Sequence, residues 1–282
     1  MGDSFTHGDE VNDDGTWQCA LERRTKRRVA NHGVGGYGAD QALLKAEQHW
    51  EEGRVASFTI LCVYEDDLER VLNRYRPFLA PGTGTKLGFK PSLRKIGSRV
   101  VLLPNPLHAD LITVKEIKAL AISLIPTDYW ASNAARVLPK FPYSVQLLGA
   151  VVRAFDRKFC IRKFSGNVWD IPEGRAVMFH ILTEFTDLAI QHGRRPILVM
   201  IPKTSDWSHR RKTPAYKAFL REVSAKAHSN LLIVDIDDAR FDERNFNLLP
   251  FRGHASTYGN DVIATAVLQR VGQLGHAEPP PD

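Results

Sequence analysis

Three short segments hold side chains from which chemistry could be built. They are Gly2-Asp3-Ser4-Phe5, then Asn31-His32-Gly33-Val34-Gly35-Gly36-Tyr37-Gly38, then Gly253-His254-Ala255-Ser256 with Gly259-Asn260 beyond it. A serine hydroxyl is a poor nucleophile at its own pKa and attacks only when a base within hydrogen-bond reach takes its proton. Taken singly, each segment has a plain structural explanation as a turn serine, a loop glycine or a surface histidine, and Gly-Asp-Ser is a common turn. The pattern Gly33-x-Gly35-x-x-Gly38 also fits the dinucleotide fingerprint ahead of a helical stretch, with Glu65 or Asp66 as the ribose-binding acid. That acid belongs about 20 residues beyond the glycines, which is nearer than Glu65 lies, and the stretch before them (RRVAN) is short and basic. A dinucleotide-binding protein is therefore the minor alternative.

The elements that must position these residues follow from hydrophobic periodicity. Short apolar runs alternate with amphipathic stretches, the pattern of a parallel sheet wrapped by helices. Strands are expected at Arg28 to Asn31, Val55 to Tyr64, Pro196 to Ile201 and Leu231 to Ile236. Helices are expected at Asp40 to Glu52, with Asp40 as N-cap, and at Arg175 to His192, Thr213 to His228 and Tyr258 to Leu274. Between Arg76 and Glu173 the rhythm breaks among prolines and glycines, with an extra strand at Arg99 to Leu103 and a helical pattern around Leu111 to Leu124. So long a stretch exceeds an ordinary connection. Residues 77–173 read as a cap or subdomain inserted into a single domain that spans residues 1–282.

At the three chemical segments the sequence resembles the SGNH (GDSL) hydrolase superfamily. The resemblance covers the chain ends and not the middle, and its specificity lies in the combination of GDSFT, VANHGVGGYG and HxSxxGN. It implies a three-layer α/β/α sandwich with a parallel central sheet, the flavodoxin-like SGNH fold, and a long insertion after the third-block strand. It also implies a serine ester hydrolase working through an acyl-enzyme, without a cofactor. Carried over residue by residue, Ser4 is the nucleophile, His254 the general base, and Ser4, Gly36 and Asp66 form the oxyanion hole. The implied substrate is a small-molecule, carbohydrate or lipid acyl ester.

The sequence departs from the family pattern in three places. The third block, normally Gly-x-Asn-Asp, reads Tyr64-Glu65-Asp66-Asp67, and an ionised Asp66 accepts hydrogen bonds but donates none. The last block, normally Asp-x-x-His, reads Phe251-Arg252-Gly253-His254 and lacks the acid that orients the histidine. A backbone carbonyl in the Asn247 to Arg252 loop is the expected substitute, giving a Ser4–His254 dyad, with Asp242 and Glu243 as the fallback. Finally, only Met1 precedes Gly2, so the first strand of the fold reads as missing and the chain as truncated. These departures keep open a second reading, a scaffold that binds an acylated or sugar ligand without turning it over.

Composition bounds the rest. A length of 282 residues with 43% hydrophobic content suits one large globular core. Cys19, Cys62 and Cys160 are too scattered for a disulfide framework or a zinc site. No stretch approaches the roughly 20 apolar residues of a membrane span. As written the chain reads as cytoplasmic, or extracytoplasmic if a signal or anchor lies upstream. The net charge of +6 gathers in Arg23-Arg24-Thr25-Lys26-Arg27-Arg28 and Arg210-Arg211-Lys212. Both are short and lack interleaved aromatics, so no nucleic-acid partner is expected. Tyr129, Trp130 and Trp169 are candidates for stacking on sugars, with core packing as the simpler role.

Overall fold

The structure, a computed structural model, describes residues 1–53, 56–65, 67–81, 87–107, 113–133, 138, 168–201, 214–226, 230–236, 246 and 253–272. Its regular elements in chain order are α1 (Ser4–His7), α2 (Trp17–Thr25), α3 (Ala39–Glu51), β1 (Phe58–Tyr64), α4 (Asp67–Val71), α5 (Arg76–Leu79), β2 (Ser92–Ile96), β3 (Arg99–Leu103), α6 (Val114–Ser123), α7 (Pro172–Gln191), β4 (Arg195–Ile201), α8 (Pro214–Lys226), β5 (Leu232–Asp235) and α9 (Thr257–Gly272). The chain divides into two compact units, residues 1–67 with 178–282, and residues 68–177.

The first unit is a mixed α/β structure built on a parallel sheet flanked by helices. Strands β1, β4 and β5 pair in parallel in that order, from Phe58 beside Arg195 to Tyr64 beside Ile201, and from Ile197 beside Leu232 to Met200 beside Asp235. The other side of β1 is joined by the first two residues. The Met1 amino group donates to the Ile60 carbonyl at 2.8 Å, and the Cys62 N–H donates to the Met1 carbonyl at 2.9 Å. Gly2 forms a parallel bridge with Gly33, and Val34 N–H donates to the Gly2 carbonyl at 3.1 Å. Across the sheet the parallel segments therefore run Gly33, Gly2, β1, β4, β5. In chain order this is second, first, third, fourth, fifth, a doubly wound arrangement whose switch point lies between Gly2 and β1.

Both faces of this sheet are covered, as parallel sheets require. On one face Cys62, Tyr64, Ile197, Val199, Ile201 and Val234 pack with Phe5, with Trp17, Ala20 and Leu21 of α2, and with Ile263, Ala264 and Val267 of α9. The alternating residues Leu61, Val63, Leu198 and Met200 point the opposite way and are fully buried. Helix α2 owes its place to Thr16, whose hydroxyl caps Cys19 N–H at 3.3 Å, and to Arg24, which holds Thr265 at 2.7 Å and Asp261 on α9. The basic run thus ends a helix and ties it to the last one.

Two expectations need correction. Residues 28–31 form no strand, because their polar groups are spent elsewhere. Val29 N–H donates to Glu22 Oε2 at 2.9 Å, Asn31 Nδ2 donates to the His7 carbonyl at 3.0 Å, and Asn31 Oδ1 accepts from Gly33 N–H at 2.9 Å. Asp40 is not the cap of α3 either. Gly38 holds that position, its N–H donating to Gln41 Oε1 at 3.3 Å, and Asp40 is buried one residue past Ala39.

The second unit packs Tyr75, Phe78, Phe89, Ala121, Leu124 and Trp130 into a small core beside the antiparallel β2–β3 hairpin. Asp128 fastens it, its Oδ2 accepting from Arg74 N–H at 2.7 Å, Tyr75 N–H at 3.0 Å and Asn73 Nδ2 at 3.1 Å. Trp130 and Trp169 are buried, at 7% and 0% exposure, which leaves Tyr129 the exposed aromatic of the three.

Cys62 is walled in on β1, and burial, with the Asp3 carboxylate next in weight, pushes its thiol up to about 12. Only the thiolate alkylates readily. Iodoacetamide at pH 8 should therefore modify the half-buried Cys19 in the folded protein, and Cys62 only after denaturation. Peptide mass mapping before and after urea checks this; Cys62 modified at the rate of Cys19 in the native protein would contradict it.

Candidate active site

Ser4 lies two residues past the Gly2 bridge, at the carboxyl end of the central segment and at the switch point of the sheet. In open parallel sheets, ligands bind outside the strands at this place. The chain turns there because Asp3 caps the short helix α1, its Oδ1 accepting from Phe5 N–H at 2.9 Å. Phe5 anchors the turn by stacking on Tyr64, with ring centroids 4.1 Å apart. Gln18 braces it from α2, donating through Nε2 to the Thr6 carbonyl at 2.6 Å. Ser4 is left 4% exposed.

Gly33 allows the neighbouring segment to come close. A Cβ there would stand 2.1 Å from His7 N and 2.5 Å from Thr6 C, so only glycine lets the loop lie against α1. Beyond it, Gly35 faces the Asp9 carboxylate, where a Cβ would be 3.3 Å from Oδ2. Gly36 is exposed at φ +80 with open space around its Cβ position. Close approach to α1 gives the first glycine of the dinucleotide-like pattern a different use.

His254 reaches the same region from the other end of the chain. Gly253 at φ +135 and the bridge between Phe246 and Ala255 set its position, and Ala255 is buried in the core. Asn260 closes the turn behind it, donating through Nδ2 to the Ser256 carbonyl at 3.1 Å and more weakly to that of Ala255 at 3.3 Å. The imidazole lies 5.3 Å, centroid to centroid, from the ring of Phe5, the residue after Ser4. No hydrogen bond joins Ser4 Oγ to His254 among the described residues.

The Nδ1 atom of His254 has a partner that the sequence does not announce: Glu10 Oε1, at 2.8 Å. Asp9 sits next to it, its Oδ1 2.7 Å from His7 Nδ1 and its Oδ2 3.9 Å from His254 Nε2. The expected partners, a carbonyl of residues 247–252 with Asp242 and Glu243 behind it, lie outside the described residues, as does Asp66. Among the described residues, the carboxylate on His254 Nδ1 comes from the N-terminal segment. Among the described residues no group of His, Cys, Asp and Glu is arranged to hold a metal ion, and no helix is long and apolar enough to cross a membrane.

No family model matches the sequence, and no curated protein matches it. Among solved structures the chain is similar to a protein from Desulfitobacterium hafniense DCB-2, provisionally described as a lipolytic protein of the G-D-S-L family. The two share 12% identity over 95% of each chain, with a TM-score of 0.46. At that identity and score the likeness carries no functional assignment.

Proposed function

We propose that the chain is a serine ester hydrolase of the SGNH type, acting on an acyl ester through Ser4 and His254. The observation that carries this is the placement of Ser4 at the switch point of the doubly wound sheet, with His254 brought against the same turn from 250 residues away. Ser4 Oγ attacks the ester carbonyl carbon while its proton passes to His254 Nε2. The tetrahedral oxyanion collapses, the alcohol leaves with the proton from His254, and Ser4 is left acylated. Water, deprotonated by His254, then attacks the acyl carbon and releases the acid and free Ser4. Backbone N–H groups of Ser4 and of the Gly36 loop are the oxyanion donors in this reading, each worth about 3 kcal/mol in such sites.

The second reading, a binding scaffold without turnover, is favoured by the open geometry between Ser4 Oγ and His254. A fluorophosphonate probe separates the two. A hydrolase is labelled, and peptide mapping places the adduct on Ser4; a folded protein that stays unlabelled, or is labelled at another serine, refutes the proposal.

A further inference from the structure

We infer that Glu10 is the positioning acid of this site, the carboxylate that fixes the tautomer and orientation of His254; this rests on reading Ser4 and His254 as nucleophile and base. Its Oε1 lies 2.8 Å from His254 Nδ1. An ionised carboxylate only accepts hydrogen bonds, so the bond places the ring proton on Nδ1 and leaves the Nε2 lone pair to take the serine proton. The tetrapeptide Phe251-Arg252-Gly253-His254 offers no carboxylate of its own. The acid comes instead from six residues past the nucleophile, in Gly8-Asp9-Glu10.

The backbone there is bent to deliver it. Gly8 has φ +89 and Glu10 has φ +73, two left-handed residues within three positions. Left-handed backbone suits glycine and costs a residue with a Cβ roughly 1–2 kcal/mol. A glycine at position 10 would make the same bend without that cost, but without the carboxylate. Asp9 does not compete for the role, since its Oδ1 is on His7 at 2.7 Å and its Oδ2 stands beyond hydrogen-bond range of His254 Nε2, at 3.9 Å. The Glu10 and His254 side chains are 18% and 25% exposed, sheltered enough for the contact to orient the ring.

The test uses the whole chain, the fluorophosphonate probe, and two variants. In Glu10→Gln the amide can donate to Nδ1 and drive the ring proton to Nε2, where it blocks the base. The labelling rate at Ser4 should fall by about 10²–10⁴-fold, the ¹⁵N spectrum of His254 should change from the Nδ1–H to the Nε2–H form, and the melting temperature should hold. Glu10→Gly relaxes the bend, so it should melt at or above the wild-type temperature and still label at least about 100-fold more slowly. A labelled wild type with an unchanged rate in either folded variant, or an unchanged His254 tautomer in Glu10→Gln, overturns the role of Glu10 and leaves the hydrolase reading standing. A folded wild type that is never labelled overturns the hydrolase reading and this inference with it.

Discussion

Ser4→Ala should abolish fluorophosphonate labelling and lower ester hydrolysis by at least about 10³-fold, the scale on which serine hydrolases fail without their nucleophile. The fold should survive. Among the described residues no hydrogen bond depends on the Ser4 hydroxyl, and the cap that shapes the turn belongs to Asp3. Removing one buried oxygen therefore costs little, and the melting temperature should move by only a few degrees. Progress curves on a p-nitrophenyl ester and a thermal melt, run on the same preparations, decide the matter. A folded Ser4→Ala protein with wild-type turnover would transfer the chemistry to another group.

Gly33→Ala should damage stability and activity together. Its Cβ would meet His7 N at 2.1 Å, Thr6 C at 2.5 Å and His7 Cα at 2.7 Å, all atoms of the main chain that cannot rotate aside. Either the Gly2–Gly33 bridge opens or α1 moves, and Ser4 begins that helix. A loss of about 3 kcal/mol is expected, with esterase activity at least about 100-fold down. Gly36→Ala is the matched control, because it meets nothing within 4 Å and pays only for φ +80. Its cost should stay near 1 kcal/mol. Equal urea midpoints for the two variants would show that the approach of Gly33 to α1 is not what holds the turn.

The parts of the fold that were legible are those where composition alone decides. Strands β1 and β4 are apolar runs buried on both faces, β5 is a shorter apolar run with Val234 buried, and such runs have few other uses in a chain of this size. Helix α2 was not legible, because its apolar stripe is only Trp17, Ala20 and Leu21 and the rest of it merges into the arginine run. The pairing of Gly33 with Gly2 was hidden for another reason. It is made by main-chain atoms at a glycine, while the residues before it, which look like a strand, spend their polar groups on α1 and α2. Of the candidate site, Ser4, His254 and the glycine loop were proposed through motif resemblance alone. Glu10 could not be found that way, since its bond to His254 spans 244 positions and depends on a φ of +73 that no residue preference for glutamate suggests.

The contact between Glu10 and His254 also has a bearing on biosynthesis. Glu10 is made 244 residues before His254, and the partners that α2 finds in Asp261 and Thr265 come later still. In the hydrolase reading, a chain emerging from the ribosome therefore carries Ser4 without its proposed base until residue 254 has been made. Closing a loop of that length is entropically slow compared with local structure, so pairing of the ends belongs to a late stage of folding. A nascent chain arrested before residue 254 should be inert towards esters, however much of its sheet has formed, and catalytic competence should appear only as the last helix docks.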